Sequence, residues 1–221
     1  MNHNSYKIKR LTAVAMFCAL SYVCMLFVKI PVQFLTLDVK DSLIILCSLL
    51  FGPISGIAVA IIVPFLELIT ISGTGVYGFI MNVLSSVVFS SVAGVIYYYR
   101  KSMVGAVIGL ITGVCAVTAV MLLANLLITP HYMGVPMEAV AKLIPKVLLP
   151  FNFMKATLNA GIVLLLYKPL STMLKRTGFL TSSSGKGEGA VKRNSFRSVL
   201  VSVVALAIIA VSLVIVFFVL K

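Results

Sequence analysis

Residues 148–160 read LLPFNFMKATLNA. The stretch lies inside an apolar run, about Ile144–Leu174, long enough to cross a bilayer, yet it carries an amide, Asn152, and an ammonium, Lys155. Helical spacing puts Asn152, Lys155 and Asn159 on one face. A lysine at mid-bilayer costs about 2.5–3.5 kcal/mol on insertion scales, so this one should turn into a bundle and find partners there. Asn152 is one neighbour, and Glu67 or an aspartate of the first outer loop could balance the charge. A purely structural lysine–carboxylate pair, or a lysine snorkelling to the interface, would also accommodate it. Snorkelling is disfavoured by the several residues between Lys155 and the helix end near Lys146. Ionisable groups inside a span are functional candidates by default.

The rest of the chain agrees that this is a protein for lipid. Of 221 residues, 61% are hydrophobic and 10% charged, where a soluble chain carries roughly a quarter charged. The mean hydropathy is +1.17. The net charge of +13 comes from 18 Lys+Arg against 5 Asp+Glu. Those basic residues gather at the ends of apolar runs, a topology signal rather than a nucleic-acid face. Cys18, Cys24, Cys47 and Cys115 lie within apolar runs without a C-x-x-C pair, so they read as small buried hydrophobes. His3 and His131 have no metal-ligand spacing, and no metal is expected.

Apolar runs of about 20 residues mark spanning helices. They are predicted at Leu11–Val28, Ile54–Thr70 with a kink at Pro64, Tyr77–Tyr98, Met103–Ile128 and about Ile144–Leu174. A segment too short to span, about Ser42–Phe51, should pack inside the bundle. The fold class is therefore an all-α membrane protein. Residues 1–177 form a substrate-binding domain, 178–197 a polar Gly/Ser/basic linker, and 198–221 an additional C-terminal transmembrane helix. Lys7, Lys9 and Arg10, Arg100 and Lys101, and the basic residues of 175–197 fall on one side of an alternating layout. That side is expected to be cytoplasmic, with the N-terminus inside. Residues 29–41, 71–76 and 129–143 are then outer loops.

The polar groups lean outward. Asp38 and Asp41 belong to the first outer loop, Glu67 to the outer end of the third predicted helix, and Thr74 to the loop ISGTGVYG. Asn82, Asn125, Asn152 and Lys155 sit in the outer halves of three helices. Singly, each asparagine is more often an interhelical hydrogen bond. Together, with Phe34, Leu37, Tyr77, Phe79, Tyr132, Phe151 and Phe153 nearby, they describe an apolar-walled pocket with a few polar anchors. No P-loop, H-E-x-x-H or Ser/His/Asp constellation is present, so enzymatic chemistry is not expected. Small residues recur at Ala15 and Ala19, and at Gly105, Gly109 and Gly113, and permit close helix approach. The glycine stripe reads as packing within the chain.

The chain resembles the substrate-binding S components of energy-coupling factor (ECF) vitamin transporters, specifically the riboflavin type. The resemblance covers roughly residues 10–177. It rests on the Ala15–Ala19 pair, LTLDVKDSLIIL, FGPISG, TGVYGFIMNVLSS, NLLITPHYMGV, LLPFNFMKATLNA and LLLYKPLS. Pro150 to Lys155 is the most specific part, and the Ala15–Ala19 pair is degenerate. The resemblance implies a six-helix bundle in the cell membrane that captures riboflavin near the extracellular side. Asn152 and Lys155 match positions contacting the flavin, Asn125 matches a third, and the loop Leu37–Asp41 closes over the ligand. Ala15 and Ala19 would face a transmembrane coupling subunit driven by two cytoplasmic ATPases, and the S component would topple within the membrane. Six helices complete that fold, so residues 178–221 are additional.

Three other readings stay open at this stage. One is an S component for a different vitamin. Another is a stand-alone proton-coupled carrier using Glu67 and Lys155 as a relay. The last is an assembly subunit whose polar groups only knit helices together.

Overall fold

The computed structural model describes residues 3–32 and 34–177, together with 203, 205–207 and 209–210. The linker at 178–197 lies outside the described residues, as does most of the expected C-terminal helix. The few residues described there are helical; Ala205 is buried and Ile209 packs against Val32, Leu37, Phe151, Met154 and Leu158.

The chain begins with α1 (His3–Phe27) and ends its described bundle with α7 (Leu149–Arg176). Between them come α2 (Lys40–Phe51), α3 (Pro53–Thr70), α4 (Gly75–Tyr99), α5 (Met103–Met133) and α6 (Met137–Leu143). Five helical stretches are long and apolar enough to cross a membrane: Lys7–Phe27, Pro53–Thr70, Gly75–Tyr99, Met103–Met133 and Met137–Leu174. The last counts as one span because a π-helical turn, Ile144–Leu148, joins α6 to α7 without a break. Pro145 in that turn has no N–H to keep the α-helical ladder in step. α3 runs unbroken through Pro64, and α5 outlasts its expected end at Ile128 to stop where Gly134 takes φ +65°.

At 12 residues, α2 is about 18 Å long, against a hydrocarbon core of about 30 Å. It packs inside the bundle. Ile44, Ile45, Leu46 and Cys47 are fully buried, and Val59, Val63, Phe89, Leu110 and Val163 complete the core around them. A helix apolar on every side is stable only when surrounded. α4 and α5 approach closely because a Cβ on Gly109 would lie 2.8 Å from the Ala93 carbonyl, and one on Gly113 2.7 Å from the Phe89 ring. The expectation of packing within the chain holds for this stripe.

The expected outer loop at 29–41 is instead a hairpin followed by the first turn of α2. Strands β1 (Lys29–Val32) and β2 (Leu35–Asp38) pair antiparallel, with Lys29 opposite Asp38 and Val32 opposite Leu35. β-Branched Ile30, Val32 and Thr36 favour extended backbone. Pro31 is tolerated because a two-stranded ribbon has only edges. At the end of the bundle away from the hairpin, Arg10 donates to Ser55 Oγ from both Nε and Nη2, the Tyr97 and Tyr167 hydroxyls pair, and Lys101 lies over the Tyr98 ring.

Candidate functional site

The first turn of α2 carries Lys40, Asp41 and Ser42, all buried, in a bundle with little else to solvate them. Buried charge survives only when paired and hydrogen-bonded, and the sequence supplies partners from every side. Lys40 Nζ donates to Glu67 Oε2 on α3 at 2.7 Å and lies 3.5 Å from Asp38 Oδ2. Glu67 also holds Lys29 through Oε1 at 3.2 Å and accepts from Asn82 Nδ2 at 3.0 Å. Asp38 Oδ2 receives Lys155 Nζ at 2.8 Å, and Lys155 adds a bond to the Thr36 carbonyl at 3.3 Å. Asp41 accepts from the Ser86 hydroxyl of α4. The result is an unbroken run of alternating charge, Lys155–Asp38–Lys40–Glu67–Lys29, linking α7 to the hairpin, α2 and α3.

Among the candidate partners named from sequence, Lys155 therefore takes the aspartate at 38. Glu67 and Lys155 are not paired directly; Asp38 and Lys40 stand between them. Burial pushes the Asp38 carboxyl up, but the ammoniums of Lys155 and Lys40 outweigh it and hold the group at about 2. Its second oxygen, Oδ1, is buried without a hydrogen-bond partner among the described residues.

Beneath the hairpin lies a cavity of roughly 210 Å³. Of the residues singled out from sequence, Glu67, Thr74, Asn82, Asn125, Asn152 and Lys155 line it together. Phe34, Tyr77, Tyr132 and Phe151 supply aromatic wall, whereas Phe79 packs edge-on to Phe65 and Phe153 is half exposed. Leu37, Asp38 and Asp41 are buried behind the lining: Leu37 sits against Val32 and Phe151, and the two aspartates belong to the charge network. The two asparagine amides from α5 and α7 are oriented by their own helices. Asn125 Nδ2 donates to the Met121 carbonyl at 2.6 Å and Asn152 Nδ2 to the Leu148 carbonyl at 2.8 Å, while Thr129 donates to Asn125 Oδ1.

Sequence reasoning missed Lys29, Thr36, Ser85 and Thr129 in the lining. Lys29 was hidden by the reading of 29–41 as loop. Thr129 could have been found, since it lies one helical turn from Asn125. Ala15 and Ala19 are exposed on the outer surface of α1, among exposed Leu11, Met16, Leu20 and Val23.

Comparison with known proteins agrees with this architecture. The family of ECF transporter substrate-specific components matches residues 9–171. The riboflavin transporter RibU of Staphylococcus aureus is 31% identical over 183 residues, spanning 78% of this chain and 96% of that protein. The riboflavin transporter FmnP of Bacillus subtilis is 27% identical over 184 residues, spanning 77% and 96%. The solved S component of a bacterial ECF transporter superposes with a TM-score of 0.66 at 30% identity, covering 77% of this chain and 99% of that one. These matches, over a helical membrane bundle with a polar cavity at one end, make the chain a member of the ECF transporter substrate-specific component family.

Proposed function

We propose that the chain captures riboflavin in the cavity under the hairpin and serves as the S component of an ECF uptake system in the cell membrane. One observation carries the reading: amides from α4, α5 and α7 and the ammonium of Lys155 converge on a cavity walled by aromatic rings. An amide both donates and accepts, which suits the uncharged imide edge of a flavin, and the aromatic walls suit its ring faces. Thr74, Ser85 and Thr129 offer hydroxyls for a polyol tail. The charges that line the cavity are already neutralised by protein partners, so an uncharged ligand need not compensate them. The riboflavin transporters among its relatives support the choice of ligand.

In this reading the N-terminus is cytoplasmic, because Arg10 and Lys101 sit at the end opposite the hairpin and mark the inner side. The exposed Ala15–Ala19 face of α1 meets a transmembrane coupling subunit, itself driven by two cytoplasmic ATPases.

The test is titration of detergent-purified, ligand-stripped protein with riboflavin, followed by quenching of flavin fluorescence. Saturable binding at one equivalent is expected. Failure to saturate, in protein whose thermal unfolding remains cooperative, would overturn the assignment of ligand.

A further inference from the structure

Asn159 lies on the Lys155 face of α7 but outside the cavity, fully buried, and three hydrogen bonds consume its amide. Its Oδ1 accepts from the backbone N–H of Ser42 at 2.8 Å. Its Nδ2 donates to the carbonyl of Asp38 at 3.1 Å and to that of Lys155, in its own helix, at 3.0 Å. Ser42 is the third residue of α2, and its N–H is one of those that a helix start leaves unpaired within the helix. The residue at the N-cap, Val39, has no side-chain acceptor to offer. An amide from α7 thus performs, across 117 residues of sequence, the service a Ser or Asp usually performs locally.

The same amide holds the carbonyl of Asp38, the last residue of β2. A ribbon of two four-residue strands is barely stable alone, so its ties to the bundle decide where it rests. At the base of the hairpin, where Lys29 faces Asp38, the Lys29 tie to Glu67 is partly exposed, with 29% of the lysine side chain accessible. Such a pair is worth little. The Asp38 side is buried, and there one backbone carbonyl and one carboxylate are gripped by two residues of α7 a single turn apart.

We propose that Asn159 is a positioning residue for substrate capture. By capping α2 from α7 and holding the Asp38 backbone, it fixes the base of the hairpin, so that only the tip bearing Phe34 flexes to admit ligand. A leucine at 159 keeps the volume but offers neither donor nor acceptor. The proposal rests on the cavity being the riboflavin site, but its primary readout does not require a ligand.

Hydrogen–deuterium exchange of the full chain in detergent micelles, without flavin, compares wild type with Asn159→Leu. Amides of residues 29–39 should exchange about tenfold faster in the variant, the scale of a lost cap, while those of α5 keep their rates. Riboflavin dissociation should accelerate by a similar factor. Asn152→Ala serves as the contrast, weakening binding while leaving hairpin exchange unchanged. Should Asn159→Leu not fold, Asn159→Ser carries the same comparison. Unchanged hairpin exchange overturns the proposal, as does acceleration spread evenly over all helices or failure of both variants to fold, since each would make the amide ordinary packing. If wild type binds no riboflavin, the choice of ligand fails while the exchange result still decides the role of Asn159.

Discussion

Asp38 takes positive charge from two sides, Lys155 at 2.8 Å and Lys40 at 3.5 Å, and this asymmetry makes the two lysines unequal. Lys40 keeps Glu67 if Asp38 is neutralised, while Lys155 has no other carboxylate within ion-pair distance among the described residues. Lys155→Met should therefore cost about 3 kcal/mol, by leaving a buried carboxylate poorly compensated. The double variant Lys155→Met/Asp38→Asn should recover most of that loss, as read by denaturant unfolding in mixed micelles. Additive losses would mean that the pair is not coupled. The Asp38 contribution should also be flat with pH across the working range. Its carboxyl sits at about 2 in the folded chain against an ordinary 3.8, so it stabilises fully above about 4 and fades only as pH falls toward 2. The stability difference between wild type and Asp38→Asn should accordingly match at pH 5 and pH 8, measured by thermal unfolding. At the cavity itself, Asn152→Ala should weaken riboflavin binding about tenfold by removing one amide partner, without altering membrane insertion. Unchanged affinity would remove Asn152 from the site.

The elements divide by how plainly the sequence announces them. Long apolar runs in α3, α4 and α5 were legible from length and hydropathy alone, because lipid forces each helix to satisfy its own backbone. α2 was legible as a buried helix because it is too short to span and apolar all round. The hairpin was not. Four-residue strands interrupted by Pro31 leave no alternation to count, and their ordering comes from ties to distant helices. The same long-range character hid Lys40: in a loop it would be solvated, but in the first turn of a buried helix it must have Glu67. The convergence of Asn125, Asn152 and Lys155 could be anticipated from depth along their helices, whereas the placing of Leu37, Asp38 and Asp41 behind the cavity wall could not, because that depends on the strand register. Packing between elements gives its own prediction. A side chain at Gly109 would meet the Ala93 backbone at 2.8 Å, which cannot swing aside as a side chain could. Gly109→Val should cost about 1–3 kcal/mol and lower the thermal midpoint, with the wild-type midpoint as the outcome that would refute close α4–α5 packing in the micelle.

At the scale of the molecule, the bundle separates its tasks between ends and faces. Polar chemistry occupies the hairpin end, basic and aromatic residues the other, and the apolar Ala15–Ala19 surface of α1 lies outside both. Ala15→Trp with Ala19→Trp should leave riboflavin affinity unchanged in purified protein while abolishing uptake into cells that carry the complete transporter; sustained uptake would rule this face out as the coupling contact. The π-helical turn at Ile144–Leu148 bears on the same geometry. A π-turn accommodates one residue beyond the α-helical repeat, and one residue is about 100° of rotation. Shortening the chain by a single residue there would put the α5–α6 corner out of phase with the α7 face that carries Asn152 and Lys155. The angular setting of an entire helix thus hangs on one supernumerary peptide unit beside Pro145, which makes insertions and deletions in that short window far more disruptive than the substitutions they sit among.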